Sequence, residues 1–109
     1  NSNLNQANLQ GAYASGANLK NAYMIKSNLE NCFLIKTDFS NAFLMEADLK
    51  NAYLTGANFE NTSLYKADLR GAKGLTAEQL RKAKTLYLAK LDPEIQEELA
   101  NERPELVDN

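Results

Sequence analysis

With 109 residues, 14 acidic and 12 basic side chains and a formal net charge of −2, the chain is sized for one domain, and its charge argues against a general nucleic-acid binder. It has no histidine, no tryptophan and a single cysteine, which excludes the common hydrolytic constellations and an internal disulfide. No apolar run approaches the roughly 18 residues that a membrane span requires. The first residue is Asn1 rather than methionine, so the compartment stays open: cytoplasmic, or periplasmic or thylakoid-lumenal if a signal peptide precedes Asn1.

From Asn1 onward the chain repeats every five residues. A large apolar residue recurs at Leu4, Leu9, Leu19, Met24, Leu29, Leu34, Phe39, Leu44, Leu49, Leu54, Phe59, Leu64 and Leu69, and only Ala14 breaks the series. Two residues before each stands a small one, from Ser2 and Ala7 through Cys32 and Thr37 to Ala67. Neither a helical period of 3.6 nor a strand period of 2 stays in phase with that spacing. A chain that turns a corner in every unit does, and each unit then sends one small and one large side chain inward.

The residue before the large one sets the number of units per coil. It alternates between a mostly aromatic set (Tyr13, Tyr23, Phe33, Phe43, Tyr53 and Ser63) and an amide or carboxylate set (Asn8, Asn18, Asn28, Asp38, Asp48, Asn58, Asp68). Stacking like on like requires an even number of units, and two would enclose no interior. Four units give a coil of about 20 residues, about three and a half coils in all, and a column about 17 Å tall at the usual strand spacing. Phe39 then lies over Phe59, and Leu9, Leu29, Leu49 and Leu69 form one column. The asparagines at positions 21, 31, 41, 51 and 61, in phase with Gly11 and Gly71, suit tight corners of positive φ.

The run Ala-Asp-Leu, as in Ala47-Asp48-Leu49 and Ala67-Asp68-Leu69, resembles the pentapeptide-repeat proteins, over Asn1 to about Ala72. That resemblance implies an all-β solenoid, a right-handed quadrilateral parallel β-helix. Gly74 to Leu80 is similar to the C-terminal tail of small cyanobacterial members. The expected division is a β-helix over residues 1–72 and an α-helical cap over 73–109, within one domain.

After Gly74 the period breaks. Thr76 and Gln79 form a capping-box pattern, with Leu75 and Leu80 placed as a staple, and the spacing of Leu80, Ala83, Tyr87 and Leu91 predicts a helix from Ala77 to about Leu91. Asp92-Pro93 predicts a second N-cap, Ile95 and Leu99 the apolar face of a short second helix, and Pro104 its end. The tail is expected to cover the last coil, because solenoid ends need polar covers. The first residues offer no such cover, and end-to-end self-association through the N-terminal coil is a corresponding expectation.

Little here suits chemistry. Cys32 occupies a small inward position and reads as a buried structural thiol. Asp48 and Asp68 stack in one column, but two carboxylates make a weak calcium site, and Gly11, Gly16 and Gly56 are isolated corners rather than a phosphate loop. No catalytic, cofactor or metal residue is assigned, and no cofactor is expected. The chain reads as a non-enzymatic structural or protein-interaction module.

The apolar residues predicted to face outward are the candidate contact surface. Tyr23, Phe43 and Tyr65, with Ile25 and Met45, share one wall. Tyr13, Phe33 and Tyr53, with Ile35, share the opposite wall. Rings so placed either stack on each other between coils or contact a protein partner. The alternative function, which the resemblance supplies, is DNA mimicry directed at an enzyme such as a topoisomerase. Balanced charge on a short column disfavours it, because duplex DNA carries one charge per roughly 1.7 Å.

Overall fold

The computed structural model describes residues 3–107; Asn1 and Ser2, the first small position, lie outside the described residues, as do Asp108 and Asn109. Isolated parallel bridges run Tyr13 to Phe33 to Tyr53, Tyr23 to Phe43 to Ser63, and Asn28 to Asp48 to Asp68, each step being 20 residues. The coil therefore holds four units, and Phe39 stacks on Phe59 with centroids 5.3 Å apart. The extended segments are one bridge long because each unit leaves only about three residues before the next corner.

We name the walls by their inward residues. Wall A carries Leu4, Met24, Leu44 and Leu64; wall B, Leu9, Leu29, Leu49 and Leu69; wall C, Ala14, Leu34 and Leu54; wall D, Leu19, Phe39 and Phe59. From Met24 to Leu69 these side chains are at most 1% exposed. Leu4, Leu9, Ala14 and Leu19 are only half-buried. From Ala22 to Ala67 the small positions are buried too, and their polar members are satisfied by the backbone: the hydroxyls of Ser27, Thr37 and Thr62 donate to the carbonyls of Met24, Ala14 and Phe39 at 2.8, 3.0 and 2.7 Å.

Corners sit two residues after each inward side chain, with φ between 56° and 64° at Asn21, Asn31, Asn41, Asn51 and Asn61. Lys26, Lys36, Glu46 and Lys66 adopt the same conformation, at a cost of about 1–2 kcal/mol each for a residue with a Cβ. The return is a backbone bond to the next coil, as from Lys26 N to the Met45 carbonyl at 2.9 Å. On walls B and D the residue before the inward one caps its own turn: Oδ1 of Asn8, Asn18, Asn28, Asp38, Asp48, Asn58 and Asp68 accepts from the amide two residues on, at 2.9–3.2 Å. This accounts for the amide and carboxylate half of the alternation.

The tail departs from expectation at one place. The capping box forms at Thr76 and Gln79, but α1 spans only Ala77–Arg81. The chain then rejoins the column: Ser63 bridges Thr85 and Asp68 bridges Lys90. Thr85-Leu86-Tyr87-Leu88-Ala89-Lys90-Leu91 repeats the register of Ser63-Leu64-Tyr65-Lys66-Ala67-Asp68-Leu69, sharing Leu, Tyr, Ala and Leu. Leu86 takes the inward place on wall A at 1% exposure, and Leu88 takes the corner with φ 61°. The step is 22 residues rather than 20, because α1 covers wall D in place of another unit. Helical periodicity over 77–91 loses here because extension completes backbone bonds that a helix would leave open, including Leu64 N to the Thr85 carbonyl and Leu69 N to the Lys90 carbonyl.

Two helices close the end. α2 spans Pro93–Glu102 and buries Leu99; α3 spans Pro104–Val107 and buries Leu106. Pro104 thus ends one helix and opens another. Asp92 holds the N-cap place of α2 without a side-chain capping bond. Its carboxylate instead accepts from Gly71 N at 3.0 and 3.2 Å, where a following coil would supply a backbone carbonyl. Its own carbonyl is then free to accept the first helical bond, from Gln96 N at 3.0 Å. Gln79 acts similarly, its amide donating to the Leu54 and Ala57 carbonyls at 2.9 and 3.0 Å. No helix among the described residues is long and apolar enough to cross a membrane.

Candidate functional site: the outer walls

The corner geometry that turns one residue inward turns its neighbours outward, so residues 20 apart stack on the outside as well. On wall C, Tyr13, Phe33 and Tyr53 form a continuous stack with centroids 4.6 and 4.4 Å apart, and Lys73 Nζ sits 4.9 Å from the Tyr53 ring. On wall A, Tyr23 stacks on Phe43 at 4.9 Å. Ser63 and Thr85 continue that row without rings. The second row of wall A holds Ile25, Met45, Tyr65 and Tyr87; the Tyr65 and Tyr87 rings are 6.0 Å apart, and Lys66 Nζ lies 5.4 Å from Tyr65.

Five of the six candidate contact residues therefore stack on one another in two groups, and the sixth, Tyr65, stacks on Tyr87. They differ in exposure: Tyr13 is 86% and Tyr23 45% exposed, whereas Phe33, Phe43, Tyr53 and Tyr65 are half-buried. Ring stacking is thus a structural role they already perform, at about 0.5–1.5 kcal/mol per pair beyond area burial. Tyr87 and Leu88, the latter 51% exposed, extend wall A beyond what the helical reading of the tail allowed. The matching register of 63–69 and 85–91 was the signal for them.

Walls B and D are polar, and the charges of wall B are internally paired. Lys50 Nζ reaches Asp48 at 3.2 Å and Asp68 at 3.9 Å, and Arg70 reaches Asp68 at 2.7 Å. The cation between the stacked carboxylates is therefore a lysine. The Arg70 hydrogen bond holds the Asp68 carboxyl below its ordinary range, and the Ser40 backbone amide does the same for Asp38. A groove of about 380 Å³ at the A–B corner is lined by Glu46, Asp48, Lys50, Lys66, Asp68, Leu88 and Lys90, with both signs of charge and no convergent set. Burial raises the Cys32 thiol pKa, and the thiol donates to the Leu9 carbonyl. That is the setting of an inert thiol, because the thiolate is the nucleophile.

The Pentapeptide repeats family matches residues 2–41 and 42–73 with eight copies. The chain is a pentapeptide-repeat protein. Members of this family fold as right-handed quadrilateral β-helices and serve as structural protein-interaction modules, generally without enzymatic activity. Among solved structures, a pentapeptide repeat protein (Rfr23) from the cyanobacterium Cyanothece is 34% identical with a TM-score of 0.65, over 84% of this chain and 57% of that one. This pentapeptide-repeat chain thus spans little more than half of that relative. A pentapeptide repeat protein from Nostoc is 32% identical with a TM-score of 0.65, over 83% of this chain and 80% of its own. One from the Arabidopsis thaliana thylakoid lumen is 23% identical over 92% of this chain and 75% of its own, with a TM-score of 0.37. No curated protein matches the chain.

Proposed function

We propose that this pentapeptide-repeat protein is a non-enzymatic interaction module of about three and a half coils over residues 2–73, whose partner contact lies on walls A and C. The observation that carries the reading is the segregation of outward side chains. Every outward-facing ring sits on A or C, while B and D carry turn-capping amides and paired carboxylates. Aromatic residues are favoured and lysine, glutamate and aspartate depleted in interface cores. A side chain already held by its stack also loses little freedom on binding. The candidate contacts are Tyr13, Phe33 and Tyr53 on wall C and Tyr23, Phe43 and Tyr65 on wall A, with residues 92–107 covering the far end of the column. Mimicry of duplex DNA would need one continuous acidic face, whereas Asp48 and Asp68 are neutralised by Lys50 and Arg70.

The test separates stacking from contact. Phe33→Ser with Phe43→Ser should abolish recovery of partners from the native extract at temperatures where circular dichroism shows the variant folded. A variant that melts lower yet keeps every partner recovered by the wild type would remove both walls as contact surfaces.

A further inference from the structure

The two outer rows of stacked rings end differently. On wall C the row Tyr13, Phe33, Tyr53 is closed by a cation: Lys73 bridges Tyr53 and carries its Nζ to 4.9 Å from that ring. On wall A, Tyr23 covers one face of Phe43, with centroids 4.9 Å apart and planes 7° from parallel. The next two places in that row belong to Ser63 and Thr85, whose side chains are too short to cover a phenyl ring. Among the described residues no second ring stacks on Phe43.

At this level the rings of wall A change rows. Tyr65 and Tyr87 stand two residues beyond Ser63 and Thr85, in the second row, and stack on each other. The open place over Phe43 therefore has a phenyl ring on one side, the tyrosine pair beside it, and Ser63 and Thr85 at its back. The Thr85 hydroxyl is held there, accepting from Tyr87 N at 3.1 Å. Charge narrows what can enter. Lys84 precedes Thr85 and Lys66 follows Tyr65; both are exposed, and Lys66 Nζ is held against the wall over the Tyr65 ring. Among the described residues neither lysine joins an ion pair. Across residues 42–46, 62–66 and 84–88 the only carboxylate is Glu46, at the corner one coil below Lys66.

We propose that this open ring place on wall A is a recognition site for a tyrosine or phenylalanine side chain of a partner protein that carries carboxylates beside the ring. The inference rests on the reading of wall A as a contact surface and names what that surface takes. An entering ring meets the free face of Phe43 as Tyr23 meets the other, and its carboxylates meet Lys66 and Lys84. An aliphatic side chain would fill the space without the stacking contact, and a basic neighbour would face two lysines. The site is already held in place by ring stacking and bridge pairing, so it loses little freedom on binding.

Nuclear magnetic resonance titration of the full chain with capped tripeptides tests it. Glu-Tyr-Glu should give saturable ring-current shifts at Ser63, Thr85 and the Phe43 ring. Glu-Leu-Glu should bind about two- to tenfold more weakly, and Lys-Tyr-Lys more weakly still. Lys66→Ala with Lys84→Ala should erase the preference for Glu-Tyr-Glu over Gln-Tyr-Gln while leaving the ring shifts. Ser63→Phe should extend the stack, raise the melting temperature by a few degrees and block the probe. Phe43→Leu, which fills no space over the neighbouring residues, should also lose the ring shifts and guards against a misplaced ring in the first variant. Equal binding of the tyrosine and leucine peptides, or no shift at Ser63 at the highest soluble concentration, would overturn the ring site. Equal binding of the acidic and basic peptides would overturn the acidic partner. Partner recovery that still depends on Phe33 and Phe43 while the probe ignores Ser63 would strike this site alone; recovery indifferent to both rings would strike the walls themselves.

Discussion

The middle of the column and its far end solve the same problem by different means. Between Met24 and Leu69 a backbone ladder pairs every coil with its neighbour, the Thr37 and Thr62 hydroxyls add bonds across coils, and no residue is individually decisive for the ladder because each is one of a stack. Beyond Gly71 residues 84–91 still pair through backbone, but two places are filled by particular side chains: the Asp92 carboxylate for Gly71 N, the Gln79 amide for two carbonyls. Periodic order tolerates apolar variation at one position, such as Cys32 for alanine or Phe39 for leucine. The end does not, since each substitute for backbone is present once.

The largest break should come from the periodic part. Leu49→Lys puts a charge at a 0% exposed position, where burial without a partner costs several kcal/mol in order of magnitude. Urea denaturation should show loss of the folded column. Leu86→Ala asks whether the tail has truly joined that core. If residues 84–91 are a rung, the loss should be about 2–5 kcal/mol, as for other fully buried leucines; a loss like that of a surface site would return the segment to a peripheral cover.

Asp92 sharpens the comparison from the other side. Asp92→Ala removes the acceptor of the exposed Gly71 N and should cost about 0.5–1.5 kcal/mol, while Asp92→Asn keeps an acceptor and should recover most of it. At Asp38, whose Oδ1 accepts from the N–H of the buried Ser40, loss of the acceptor in Asp38→Ala should cost a similar amount, and Asp38→Asn should again recover most of it.

Acid should act on walls B and D first. Asp68 has a folded pKa held below its ordinary value of 3.8, chiefly by the Arg70 hydrogen bond. Its contribution is therefore fully present above about pH 4 and is lost as pH falls through the lower folded value. With Arg70 half exposed, the effect should stay below about 1 kcal/mol. Stability of Asp68→Asn followed from pH 6 to pH 2 should fall less steeply than wild type; parallel curves would mean that the pair contributes nothing. One further substitution should be a gain. Leu88→Gly removes a Cβ from a φ of 61° and should stabilise by about 1 kcal/mol.

The column was legible in the sequence because its two signals, the five-residue spacing and the alternation of rings with amides, are each repeated many times and point to one geometry. The tail was legible only in part. Thr76 and Gln79 announced a helix start correctly, and Pro93 and Leu99 the second helix. The extent of α1 was misread because Leu80, Ala83, Tyr87 and Leu91 also fit a helical stripe. What decided against it was the unpaired edge of Leu64 and Leu69, a demand made by distant residues and invisible in a local window. The Asp92 substitution was hidden for the same reason: an aspartate before proline has a local use, and its actual partner is 21 residues away. For the outer rings, sequence placed them on two walls, and the structure shows them stacked.

The four-unit coil has a consequence for how such a chain can change. Adding 20 residues lifts everything beyond the insertion by one strand spacing, about 4.8 Å, and leaves its bearing unchanged. Adding five swings it through a quarter of a revolution. Chain length thus works as a vernier: whole coils set the height of Leu88 and the closing helices, and single units set the compass direction in which they face relative to the ring-bearing sides.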